Sequence, residues 1–135
     1  MQMKLTTDYA LRIVLELAQQ KRPMNSREIS EEIGVSQFYI QQILGELRAA
    51  GIVESKRGAH GGGYQLLKDP KQFTVMDVVS IFEKTVSIDS CLERAAQISE
   101  GAEQRLFSFW ERVQRNLEEQ LMGTRIADLL TLLWK

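Results

Sequence analysis

SQFYIQQILGELRAAGIVESKRGAHGGGYQLL, residues 36–67, decides the fold of this chain, because three signals follow one another in it. Ile40, Ile43, Leu44 and Leu47 recur at the three-and-four spacing of one buried helix face. Ser36 stands at the N-cap position, where its hydroxyl can accept from an unpaired backbone N–H, and Gly51 stands where the helix should end. Two short strand-like runs follow, Ile52–Ser55 and Tyr64–Leu67. Between them Lys56-Arg57-Gly58-Ala59-His60-Gly61-Gly62-Gly63 forms a basic, glycine-rich hairpin tip. A helix followed by such a hairpin is the layout of a winged helix. Its helix enters the DNA major groove and its wing reaches along the backbone or into the minor groove.

The outward face of the helix follows from a turn of about 100° per residue. With Ile40 inward, Phe38, Gln42, Gly45 and Ala49 point away from the core and Gln41 lies on the flank. A glutamine amide can hydrogen-bond the edge of adenine in two places, and an apolar ring can touch a thymine methyl. Gly45 and Ala49 are small enough to let the helix lie close to a groove wall. An ordinary surface helix with one exposed Phe fits the same pattern. In the wing, Lys56 and Arg57 precede four glycines within six residues. That composition suits phosphate contact or an Arg laid in a narrow minor groove. It also fits a flexible turn carrying two solvated charges. A phosphate-binding P-loop does not fit, since no Gly-Lys-Ser/Thr ends the run and no helix follows at once.

Upstream, Leu5 to Gln20 reads as a first helix with Tyr9, Ala10, Ile13, Val14, Leu17 and Ala18 as its apolar stripe. Lys21-Arg22-Pro23 ends it. Asn25-Ser26-Arg27-Glu28 is a capping box opening a short second helix that stops at Gly34. Helix, short helix, turn and longer helix make a helix-turn-helix. Downstream, Asp69-Pro70 is a turn, and Thr74-Val75-Met76-Asp77 is a second capping box, opening a helix through Val78, Val79, Ile81 and Phe82. Residues 84–100 lack a strong pattern and hold the single cysteine, Cys91. From Glu103 to Met122 runs the longest helical pattern, with Leu106, Trp110, Val113, Leu117 and Leu121 four and three apart and Phe107, Phe109 and Met122 widening the stripe. A helix apolar on more than one side packs against two things, here its own domain and a two-fold partner's copy. Gly123 stops it. Thr124 is expected to cap a last helix with Ile126, Leu129, Leu130, Leu132, Leu133 and Trp134, too apolar to stand free in water and expected to dock on the dimer.

Composition bounds the function. The chain has 135 residues, 44% of them hydrophobic, enough for one small domain with an appendage. No run of roughly 18 apolar residues and no cleavable apolar leader is present, so a cytoplasmic protein without a membrane span is expected. One Cys and one His exclude an internal disulfide framework and a zinc site built from several such residues of one chain. Net charge is −1, divided as +2 over residues 1–72 and −3 over residues 73–135, a modest bias toward nucleic acid in the N-terminal half. No nucleophile, base or paired-carboxylate pattern suggests an enzyme. The expected fold is mainly α with a small β-wing: a winged helix-turn-helix DNA-binding domain over residues 1–83, a sensor-type loop over 84–100, and dimerisation helices over 101–135.

The residues resemble a known family. Thr7-Asp8-Tyr9-Ala10-Leu11-Arg12, Ser30 to Gly34, Tyr39, Leu47-Arg48-Ala49-Ala50-Gly51-Ile52-Val53, Arg57-Gly58, Gly61-Gly62-Gly63-Tyr64 and Leu66 look like the signature of the bacterial winged-helix regulators called Rrf-two, with IscR-, NsrR- and CymR-like members. The resemblance covers essentially the whole chain and is most specific over residues 5–67. It implies a homodimeric transcription regulator, usually a repressor, on a near-palindromic double-stranded promoter site. Carried over by position, its DNA contacts fall on Ser36, Phe38, Tyr39, Gln41 and Arg57. Together with the outward helix residues and the wing tip, the candidate DNA-binding set is Ser36, Gln37, Phe38, Tyr39, Gln41, Gln42, Lys56, Arg57, Gly58 and His60. Two departures stand out. Gln41 replaces a Glu that iron–sulfur members can carry, and Ala59-His60 makes the wing tip look one residue longer.

Iron–sulfur members place three cysteines about five residues apart in the segment after the fourth helix. Here Cys91 looks like the first, while Gln97 and Glu103 stand near the places of the others. Asp8 matches a position that can supply a ligand from the partner subunit in the nitric-oxide-sensing branch. A cluster needs about four ligands, mostly thiolates, so no iron–sulfur cofactor is expected. Cys91 then reads either as a thiol switch or as an inert small residue, and the signal as a small molecule or a protein partner. The dimer interface is expected at Leu106, Trp110, Val113, Leu117 and Leu121. A winged-helix module that binds a protein and reads no bases is the alternative function.

Overall fold

A computed structural model of the chain describes residues 3–58, 62–84 and 101–131, without the side chains of residues 102 and 103. His60, Cys91, the loop from Ser87 to Ser99 and the tail residues Leu132, Leu133 and Trp134 lie outside the described residues. Among the described residues six helices and two strands follow in order: α1 Leu5–Gln20, α2 Ser26–Ile33, α3 Gln37–Ala49, β1 Val53–Lys56, β2 Gly63–Leu66, α4 Val75–Phe82, α5 Ala102–Gly123 and α6 Ile126–Leu130. None of the described helices is long and apolar enough to cross a membrane.

Local chemistry sets most of these boundaries. Lys21 leaves α1 in a left-handed conformation, φ 56°, and its N–H closes on the Leu17 carbonyl just before Pro23. Asn25 accepts from the Glu28 N–H while the Glu28 side chain takes the Asn25 N–H, so two of the unpaired donors at the start of α2 are satisfied. Thr74 and Asp77 do the same for α4. Gly34, at φ 79°, makes the turn between α2 and α3.

The core joins these elements. Ala10, Ile13, Val14, Leu17 and Ala18 of α1 meet Ile29 of α2 and Ile40, Ile43, Leu44 and Leu47 of α3. Met24, Ile52, Val53, Phe73, Val75, Val78, Val79, Phe82 and Ile126 complete it. Each large apolar side chain buried there contributes about 1.5–3 kcal/mol of transfer free energy before conformational entropy is counted. Thr7 is also buried, which the apolar stripe did not anticipate. Its hydroxyl donates to Glu83 at 2.7 Å, and the same carboxylate oxygen accepts the Lys4 N–H at 2.7 Å. The Lys4 N–H first, and the Thr7 hydroxyl second, hold the Glu83 carboxyl below its ordinary value. The end of α4 thereby caps the start of α1.

β1 and β2 pair antiparallel, Val53 with Leu66 through Lys56 with Gly63, one residue later in β1 and one earlier in β2 than the apolar runs predict. The shift has a local cause. Ile52 gives its N–H back to the Leu47 carbonyl, closing the exit of α3, and only its carbonyl is left to take the Leu67 N–H. On the other edge of β2, Met24 forms a single-residue antiparallel bridge: its N–H donates to Tyr64 O at 2.9 Å and Tyr64 N–H donates back at 2.7 Å. Gly63 is required there. At φ 148° a Cβ would lie 2.4 Å from the Met24 carbonyl carbon and oxygen.

The C-terminal part corrects one expectation. The last helix is capped by Arg125, whose N–H is taken by Asp128, and not by Thr124. The Thr124 hydroxyl instead donates to the Gln120 carbonyl, and its own carbonyl takes the Val75 N–H, because chain reversal places Thr124 beside the start of α4. Ile126 N–H donates to Phe73 O at 3.1 Å and Ala127 N–H to Pro70 O at 2.9 Å. With Ile126 fully buried, the described part of the last helix packs on α1 of its own chain.

Candidate nucleic-acid interface

α3 is set into the core by its inward face and offers the opposite one to solvent. Ser36 caps it, its hydroxyl accepting the Tyr39 N–H at 3.3 Å. Phe38 is 70% exposed, and Gln42, Gly45 and Ala49 are exposed beside it. Nothing lies within 4 Å of where a Gly45 Cβ would stand. An exposed ring, a glutamine amide and two small residues on one helix face can approach base edges closely.

The flank of α3 is organised differently. Gln37 and Gln41 are exposed, yet the Nε2 of each donates to the Ser26 hydroxyl, at 3.1 Å and 3.3 Å. Ser26 opens α2 and is 7% exposed. Nothing in the local pattern announces this link, because Ser26 reads as an ordinary first-turn residue. Tyr39 is half-buried. Its hydroxyl is hydrogen-bonded to the Thr6 hydroxyl, and its ring stands edge-on to Tyr9 with centroids 5.7 Å apart. Of the expected helix contacts, Tyr39 is the one turned toward α1.

The wing follows α3 directly, and Lys56, Arg57 and Gly58 are exposed in it. Lys56 Nζ lies 3.3 Å from Glu54, which also accepts the Gln65 amide at 2.7 Å. The Gln65 hydrogen bond first, and Lys56 second, hold the Glu54 carboxyl below its ordinary value. Half of the basic pair is thus locally offset, whereas Arg57 has no ion-pair partner among the described residues. The two sides of the tip come close: a Cβ on Gly62 would sit 2.9 Å from the Gly58 carbonyl oxygen. The tip's His60 lies outside the described residues.

Away from this face, the expected interface stripe on α5 is only partly covered. Trp110, Val113, Leu117 and Leu121 are half-buried, while Leu106 and Phe109 are each 50% exposed and Met122 61%. Leu121 reaches the core, and α5 packs on α4. Among the described residues no group of three or more His, Cys, Asp or Glu could hold a metal ion. Asp8 is paired with Arg12 at 2.8 Å, one helical turn on.

The chain is similar to known transcriptional regulators in sequence and in fold. A family model described as Rrf2, iron-dependent transcriptional regulator, matches residues 3–132. The HTH-type transcriptional regulator CymR of Bacillus subtilis is 31% identical over 131 residues, covering 94% of this chain and 89% of CymR. The HTH-type transcriptional regulator IscR of Vibrio atlanticus is 31% identical over 132 residues, covering 95% and 75%. The solved structure of CymR, the global cysteine regulator of B. subtilis, superposes with a TM-score of 0.81 over 97% of each chain at 28% identity.

Proposed function

The chain belongs to the Rrf2 family of transcriptional regulators, and from that premise we propose that it binds a near-palindromic promoter site as a homodimer and represses transcription. In this reading α3 enters the major groove and the β1–β2 wing follows the phosphate backbone. Residues 1–83 read DNA, 84–100 receive a signal and α5 joins two copies. The observation that carries the reading is the outward face of α3. Phe38, Gln42, Gly45 and Ala49 are exposed together on a helix whose other face is locked in the core, with Arg57 exposed on the hairpin that follows. Ser36, Gln37, Gln41, Lys56, Gly58 and His60 complete the proposed contact set, and Tyr39 positions α3 against α1. The incompletely covered stripe on α5 supports the second copy, since two-fold pairing would remove exposed apolar surface from water. No catalytic role is assigned.

The family description mentions iron, and the donor set of this chain does not fit an iron–sulfur cluster. A cluster takes about four ligands, mostly thiolates. The chain has one cysteine, and Asp8 with Cys91 would supply only two of those ligands from each chain. We therefore read the signal as a small molecule or protein partner, with oxidation of Cys91 second.

The test is selection from a randomised double-stranded library, followed by affinity measured against salt. Several phosphate contacts release counterions, so the affinity should fall steeply as salt rises. Enrichment of a two-fold symmetric sequence with such a slope is the expected result. Failure to enrich any sequence, with a shallow slope, would instead support a protein-binding module.

A further inference from the structure

We propose that Ser26 is a positioning residue that sets the base preference of α3 by holding the side-chain amides of Gln37 and Gln41. The proposal rests on the reading that α3 enters the major groove. The two glutamines stand one turn apart on the same flank, and both direct Nε2 at one hydroxyl, at 3.1 Å and 3.3 Å. A serine oxygen has two acceptor lone pairs, and the two amides use both. Ser26 itself is held: it is 7% exposed and lies in the first turn of α2, behind the Asn25–Glu28 capping box. The anchor is therefore fixed while the two glutamines it holds are exposed residues.

The consequence is chemical. A primary amide has one oxygen and two N–H donors. Once an N–H of Gln41 is given to Ser26, the plane of the amide is set, and its oxygen and second N–H remain for a ligand. That acceptor–donor pair matches the N6–H and N7 edge of adenine. A side chain already held in place also loses less rotamer freedom when it binds. Ser26 touches no base in this arrangement. It acts through the two glutamines, and mainly through Gln41.

The experiment measures base preference, position by position, for the full-length protein with a randomised operator library. The variants are Ser26→Ala, Ser26→Thr, Gln41→Ala and the Ser26→Ala/Gln41→Ala pair, each with its melting temperature. Ser26→Ala should lose about fivefold of the adenine preference at the position read by Gln41, the worth of one neutral hydrogen bond. Non-specific affinity should stay at the wild-type value, while the melting temperature should fall by no more than a few degrees, the worth of two hydrogen bonds from exposed side chains. Ser26→Thr, which keeps the hydroxyl, should restore the preference, and the double variant should match Gln41→Ala alone. Should Ser26→Ala unfold, Ser26→Cys, close in shape but a weak acceptor, gives the same reading. An unchanged preference in a folded Ser26 variant, or an equal loss on all sequences, overturns the inference while leaving DNA reading by α3 intact. No sequence selectivity in the wild type overturns both.

Discussion

Replacing Gly63 by Ala should damage this protein out of proportion to one methyl group. The added Cβ would lie 2.4 Å from the Met24 carbonyl carbon and oxygen and 2.7 Å from the Asn25 nitrogen, all of them backbone atoms. A flexible side chain could swing aside, but here the rung between Met24 and Tyr64 must open. Its two hydrogen bonds, at 2.9 Å and 2.7 Å, are worth roughly 1 kcal/mol each. An alanine held at φ 148° adds strain of roughly 1 kcal/mol or more. The expected loss is about 3 kcal/mol, a large share of the roughly 5–15 kcal/mol that keeps a domain folded. In a thermal melt followed by circular dichroism, that loss lowers the midpoint by about 10 °C. Gly45→Ala is the control: its Cβ would meet nothing within 4 Å, and its backbone is already helical. It should hold or raise the midpoint, because alanine favours the helix. A Gly63→Ala midpoint within about 2 °C of wild type would refute the argument that this rung anchors the wing.

Four further outcomes follow from the geometry. Arg57→Ala should weaken binding on all sequences and lower the salt slope by about one, whereas Gln41→Ala should cost about 1–3 kcal/mol on the preferred site only, both read by anisotropy titration. Leu117→Asp, placing a charge in the half-buried stripe of α5, should give a monomer in sedimentation; a wild type that sediments as a monomer would count against the dimer. Glu83, held below its ordinary value of 4.5, adds stability that is complete above that value and lost as pH falls through the lower folded value. Glu83→Gln should therefore show a smaller acid-induced drop in melting temperature than wild type, and parallel curves would dismiss the capping role. Anaerobic purification should yield protein without stoichiometric iron or sulfide, and a brown chromophore with both would overturn the ligand argument.

The parts of the fold that were legible in the sequence are those fixed by neighbours within one turn. Asn25 with Glu28, and Thr74 with Asp77, announce two helix starts because donor and acceptor are three residues apart. Ile40, Ile43, Leu44 and Leu47 announce the inward face of α3 by spacing alone, and their burial leaves Phe38, Gln42 and Ala49 outside. What was not legible depends on partners far along the chain. Thr7 looks polar and exposed until Glu83 arrives to take its hydroxyl, and Met24 looks like loop until Tyr64 pairs with it. Thr124 is a plausible cap by type, but the chain reverses there, and Val75 claims its carbonyl. The candidate interface divides the same way. The outward face was readable, while the Ser26 anchor and the Thr6 partner of Tyr39 come from other helices.

The joint between α5 and the winged domain also works as a mechanical element. Backbone bonds from Val75 to Thr124, Ile126 to Phe73 and Ala127 to Pro70 clamp one end of a 22-residue helix to the body that carries α3. Such a helix is about 33 Å long. A tilt of about 6° at its clamped end sweeps the free end through about 3.4 Å, the rise of one base pair along a strand. In a two-fold pair joined through α5, the separation of the two recognition helices is therefore set by the angle of this clamp. A signal that turned the clamp by a few degrees would bring the pair into or out of register with its operator, with no change in any residue that touches DNA.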